Sequence, residues 1–183
     1  MSPHRHLASG LLAALLWPTG SIAVDFVAAL VQRETVVSAS GAYTFDIELA
    51  RRWRVDPATG TLRAIAGGQA HTLWQRSLPQ RVRPRFASAA DDGTVVLFDQ
   101  FDNIKGPTAV LLVNPQGHDV VRLTFDEIAR AIGATESRVL HQAKHGAWIQ
   151  TLPRLTSTEA LVGVAGRTLS INLATGQTQV APR

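Results

Sequence analysis

The sequence predicts an all-β domain of three blade-like β-repeat units, in an open or partial propeller-like arrangement, with one short helix. Three observations predict it. Apolar residues alternate, or run in blocks of strand length, far more often than they follow helical spacing. One kind of turn chemistry recurs at intervals of roughly sixty residues. Only one segment carries both clear start and clear stop signals of a helix.

Residues 1–23 read as a cleaved signal peptide. Arg5 and the amino terminus supply positive charge, Leu7 to Trp17 is an apolar run, and Pro18 and Gly20 break any helix. Ser21-Ile22-Ala23 places small residues where a signal peptidase reads. The run is about half of the roughly 20 residues that span a bilayer, so stable membrane insertion is not expected. Residues 24–183 then form a single β-repeat domain, periplasmic or secreted. The chain has no cysteine, which excludes disulfides, thiol catalysis and thiolate metal sites. An exported domain without disulfides must rely on its core, which suits a bacterial periplasm. The net charge of +4 is small, and with an export signal no nucleic-acid partner is expected.

The strands follow from pattern. Tyr43, Phe45, Ile47 and Leu49 alternate with polar residues and share one face of a half-buried strand. Thr94–Phe98 and Ala109–Val113 are continuous apolar runs, read as strands buried on both faces. Ala147–Leu152 and Thr168–Leu173 also have strand character. The helix is expected over Phe125–Ile132: Thr124 can cap it, Glu127 completes a capping box and Gly133 can close it. A weaker helix is suggested over Asp25–Arg33.

Two elements recur. Asp56-Pro57-Ala58-Thr59-Gly60, Asn114-Pro115-Gln116-Gly117 and Asn172-Leu173-Ala174-Thr175-Gly176 each read as a hairpin turn, with Asx bonding its own backbone and Gly at positive φ. Ser40-Gly41, Asp92-Gly93 and His145-Gly146 each open an apolar strand. The Asx-Gly turns, together with His71-Thr72-Leu73-Trp74-Gln75 and Asp91–Val96, resemble the repeats of quinoprotein-type β-propellers. The stretch from Asp92 to Ile128 also looks like exported bacterial proteins that carry one such unit. The resemblance implies blades and no functional residue. Propellers have about four to eight blades. Three units would form an open stack, a twisted sandwich, or half of a ring completed by a second subunit. A bound quinone needs a full ring with an acidic, calcium-bearing centre, so no cofactor is expected.

Candidate sites are few. Arg81, Arg83 and Arg85 alternate, and on a strand they would share one face as a weak anion-binding strip. The competing reading is a solvated edge strand protected by charge and Pro84. Asp91, Asp92, Asp99, Asp102 and Asn103 do not match a calcium loop and read as polar turns around one strand. His141 and His145 are four apart, but Gln142 stands where a zincin needs glutamate, so no metal is expected. No catalytic residue is assigned: nucleophile-elbow and phosphate-loop motifs are absent. Trp53, Trp74 and Trp148 lie beside apolar runs and are expected in the core.

The expected function is an exported, non-enzymatic β-repeat binding or scaffold module. A protein partner or a second copy would pair with an open sheet edge. The alternative is a small periplasmic hydrolase with a loop-borne His/Asp site, drawing on Asp99, Asp102, His141 and His145.

Overall fold

A computed structural model describes residues 32–53, 55–80, 82–99, 107–142 and 148–181. The chain divides into Met1–Leu30 and Val31–Arg183, and every described residue belongs to the second unit. The predicted signal lies outside the described residues. So does the helix suggested over Asp25–Arg33, apart from its last two residues, where Arg33 begins a strand.

Three four-stranded antiparallel sheets follow one another along the chain. The first contains β1 (Arg33–Val37), β2 (Tyr43–Glu48), β3 (Thr59–Ala66) and β4 (Gln69–Ser77). The second contains β5 (Phe86–Ala89), β6 (Val95–Phe98), β7 (Val110–Val113) and β8 (Asp119–Leu123). The third contains β9 (Ile149–Leu155), β10 (Glu159–Val164), β11 (Arg167–Asn172) and β12 (Thr178–Val180). Each sheet keeps its strands in chain order, as a blade does, and β5 lies against both β1 and β9. The all-β, open, propeller-like reading therefore holds.

The middle sheet explains the stacking. Every residue of β6 and β7 is fully buried, as their unbroken apolar runs require. Val96, Phe98, Val110 and Leu112 join a core with Ala160, Val162, Val164, Leu169 and Ile171 of the third sheet. The cross-strand partners Val95–Val113 and Leu97–Leu111 take the other face. Towards the first sheet, Arg76 donates to the Gly117 carbonyl at 2.9 Å and to Asp119 at 2.6 Å. Burial works against the Asp119 charge, but Arg76 and Arg122 hold its carboxyl below the usual range.

Helix α1 (Phe125–Ala131) begins at Thr124 with the expected capping box: Glu127 N–H donates to Thr124 Oγ1 at 3.3 Å, and Thr124 N–H donates to Glu127 Oε2 at 2.7 Å. A second helix, α2 (Glu136–Gln142), was not expected. Val139 is its buried residue and Leu140 is exposed, so no apolar stripe announces it. Its helical form depends on packing over Val139 and on Thr135, whose Oγ1 accepts from Arg138 N–H at 3.3 Å.

The repeat is real at the level of sheets, but the turn motifs do not align within it. Asn114 and Asn172 both join third to fourth strands, and their Oδ1 atoms accept backbone N–H groups as expected. Asp56 instead lies between the second and third strands of its sheet, ion-paired to Arg52. Gly41 and Gly93 sit between first and second strands at positive φ, whereas His145-Gly146 precedes β9 and lies outside the described residues. Gly60 is not a turn glycine. It stands inside β3, where a Cβ would come within 2.7 Å of Leu78 Cδ2 and 2.8 Å of Phe45 Cζ.

The two end faces of the stack are polar. On the first sheet, register aligns Arg33, Glu48, Thr59 and Ser77 in one row, and Thr35, Asp46, Thr61 and Gln75 in the next. Asp46 is only 6% exposed and accepts from Arg33, Thr35 and Arg63, so one carboxylate joins β1, β2 and β3. Burial alone would raise its pKa, but the hydrogen bonds from Thr35, Arg33 and Arg63 together lower it.

Two outcomes follow. Gly60→Ala should lower the urea midpoint by the equivalent of about 1–3 kcal/mol, the cost of overpacking; an unchanged midpoint would show that Leu78 and Phe45 yield freely. A carboxylate held below its unfolded value stabilises the fold above that value and loses this contribution as pH falls through the folded one. Asp46→Asn should therefore destabilise the domain at neutral pH by about 1–2 kcal/mol and flatten the acid limb of its stability profile. An identical acid limb in both proteins would refute the clamp.

Candidate functional site

The predicted arginine strip is not formed as a strand. Arg81 lies outside the described residues, and Val82–Arg85 belongs to the connection between β4 and β5. Val82, Arg83 and Pro84 are all buried, and Arg83 donates to the Glu34 carboxylate on β1. Arg85 is half-buried, its guanidinium 5.5 Å from the Phe86 ring centroid. Among the described residues Val82–Arg85 is not a solvated edge strand: this segment packs beside β1 and the end of β6, where Arg85 N–H donates to the Phe98 carbonyl at 3.0 Å.

The other sequence candidates disperse. Asp91 accepts from Ser40 N–H at 2.7 Å and Asp92 from Thr94 N–H at 2.8 Å, so both serve turns. Asp99 is buried at the end of β6 with φ at 54°. His141 is exposed on α2, while Asp102, Asn103 and His145 lie outside the described residues. Trp74 and Trp148 are buried and Trp53 is half-buried. Among the described residues no group of three His, Asp or Glu side chains is placed to hold a metal ion. Nor is any helix among them long and apolar enough to cross a membrane.

A different set of residues is brought together on the outer face of the third sheet. The Asn172 turn builds it. Asn172 Oδ1 accepts from Ala174 N–H at 3.0 Å and Thr175 N–H at 2.9 Å, and its N–H donates to the Gln177 carbonyl at 2.9 Å. Gly176 takes φ 72° at the close of the turn, where its Cα faces Val121 of the second sheet. The chain is thereby returned as β12, carrying Gln177, Thr178 and Gln179 alongside β11. On the other side of β11, Glu159 pairs with Asn172.

These five residues line a cleft of about 260 Å³. Gln179 Nε2 donates to Glu159 Oε1 at 3.1 Å across β11, which presets the orientation of the carboxylate. Among the described residues Glu159 makes no ion pair, unlike Asp46, Asp56 and Asp119. One row further in, Ser170 lies between Leu161 and Gln179; it is 1% exposed and its Oγ has no hydrogen-bond partner among the described residues. A buried hydroxyl in that state is costly unless something supplies a partner. The lining side chains on this face offer one carboxylate and three amides, with no aromatic platform and no nucleophile–base pair. Its chemistry is reversible hydrogen bonding around one negative charge. The Asn172 turn was legible in the sequence. Glu159 was not, because only strand register carries it to Asn172 and Gln179.

No family model and no curated protein matches this chain. Among solved structures it is similar to the europium-containing methanol dehydrogenase, at 14% identity and a TM-score of 0.43 over 77% of this chain and 23% of that one. It is also similar to HIRA(644-1017), at 11% identity and a TM-score of 0.38 over 82% of this chain and 53% of that one. The chain thus spans under a quarter of the first protein and about half of the second.

Proposed function

We propose that this protein is an exported, non-enzymatic β-repeat binding module that holds a polar group of its ligand or partner in the cleft between Glu159 and Gln179. The cleft itself carries the reading. It lies at an open end of the stack, next to the short edge strand β12, and its hydrogen-bonding groups converge from three strands. At about 260 Å³ it falls below the roughly 300–1,000 Å³ of sites that engulf a drug-sized ligand. A single side chain or head group is the right size. A partner protein presenting such a group beside β12 would gain main-chain hydrogen bonds by strand addition as well. The hydrolase reading draws no support from this site, since neither Asp99 nor His141 lines it.

The test is NMR titration of the processed protein with arginine, lysine, glucose, glucosamine and N-acetylglucosamine at millimolar concentration. Shifts concentrated at Gln177–Gln179 and Glu159 by at least one compound are expected. Gln179→Trp, which fills the cleft from an exposed edge position, should abolish them. Shifts that persist in that variant, or none with any compound, would remove the cleft as a binding site.

A further inference from the structure

We infer that the cleft recognises a guanidinium group, with Glu159 as its counter-charge. This rests on the binding reading above and adds the chemistry of the ligand.

The first argument is charge. Asp46, Asp56 and Asp119 are each met by arginine, and Glu34 by Arg83. Glu159 is held by an amide alone, yet it is half-buried in a concavity. Gln179 orients the carboxylate without neutralising it, so the negative charge stays available to an incoming cation. An anionic ligand would meet this charge directly and is disfavoured.

The second argument is donor–acceptor count. Around the carboxylate stand the amides of Asn172, Gln177 and Gln179. Asn172 Oδ1 is committed to its turn. The remaining amide oxygens can accept, as can the carboxylate. A guanidinium carries five N–H donors in a planar fork and is weakly hydrated. An ammonium is compact and strongly hydrated, with three donors. A shallow polar cleft without an apolar floor repays little desolvation, so it favours the cation that loses less water and makes more directed bonds.

The experiment is isothermal titration at low salt with acetyl-Gly-Arg-Gly-amide, its citrulline and lysine counterparts, and free L-arginine. The arginine peptide should bind about tenfold or more tightly than the citrulline peptide, the scale of a charge-assisted hydrogen bond, and more tightly than the lysine peptide. Glu159→Gln should cost a similar factor. Glu48→Gln, which removes an exposed carboxylate from the first sheet, should cost none. A peptide stronger than free arginine marks a protein chain as the source of the group, while equal affinities mark the free amino acid. Equal binding of arginine and citrulline peptides, unaffected by Glu159→Gln but lost in Gln179→Trp, would overturn guanidinium recognition and leave the binding module standing. No binding of any peptide overturns the inference, and the NMR titration then decides the broader reading separately.

Discussion

The structure depends on a sheet that is greasy on both sides. β6 and β7 bury every side chain they carry, and no single neighbouring sheet could cover both of their faces. A sheet with two apolar faces needs a layer above and a layer below. The first and third sheets are those layers. Each presents one apolar face to the middle, with Phe45, Leu62 and Trp74 in the first and Val162, Leu169 and Ile171 in the third. The helices α1 and α2 add Phe125, Ile128, Ile132 and Val139 to the core shared with the third sheet. Phe125 meets Trp148 edge to face, with ring centroids 5.7 Å apart.

The outward faces of the first and third sheets are more polar than the faces they turn to the middle one. The first is covered by rows of Thr, Gln, Arg and Glu around the Asp46 clamp. The third carries Glu159, Ser170, Asn172 and Gln179. On the third sheet those groups supply the cleft.

Sheet contacts also put the arginines to structural use. Arg83 reaches Glu34 from the β4–β5 connection, Arg76 joins the first sheet to the second through Asp119 and Gly117, and Arg167 donates to the Ile132 carbonyl at 2.8 Å, joining the third sheet to the end of α1. In a chain with sixteen arginines and only two lysines, the planar fork is the recurring means of closing gaps between elements. Arg81, Arg83 and Arg85 looked like a strip because alternation was read as a strand. Among the described residues of that segment, Val82, Arg83 and Pro84 are buried and form no strand.

Local chemistry was determined by the sequence alone. Alternation over Tyr43–Leu49 and the unbroken runs at Val95–Phe98 and Val110–Val113 specify strands and their burial, because side-chain period and apolarity act over neighbouring residues. Thr124 and Glu127 specify a helix start, and Asn114 and Asn172 specify turns, for the same reason. Tertiary structure alone decided what depends on partners distant in the chain. It placed Gly60 within a strand against Leu78, formed α2 around Val139, withdrew Arg83 to Glu34, and brought Glu159 beside Asn172 and Gln179. Strand register and sheet stacking set those meetings, and neither is written in any short stretch of residues.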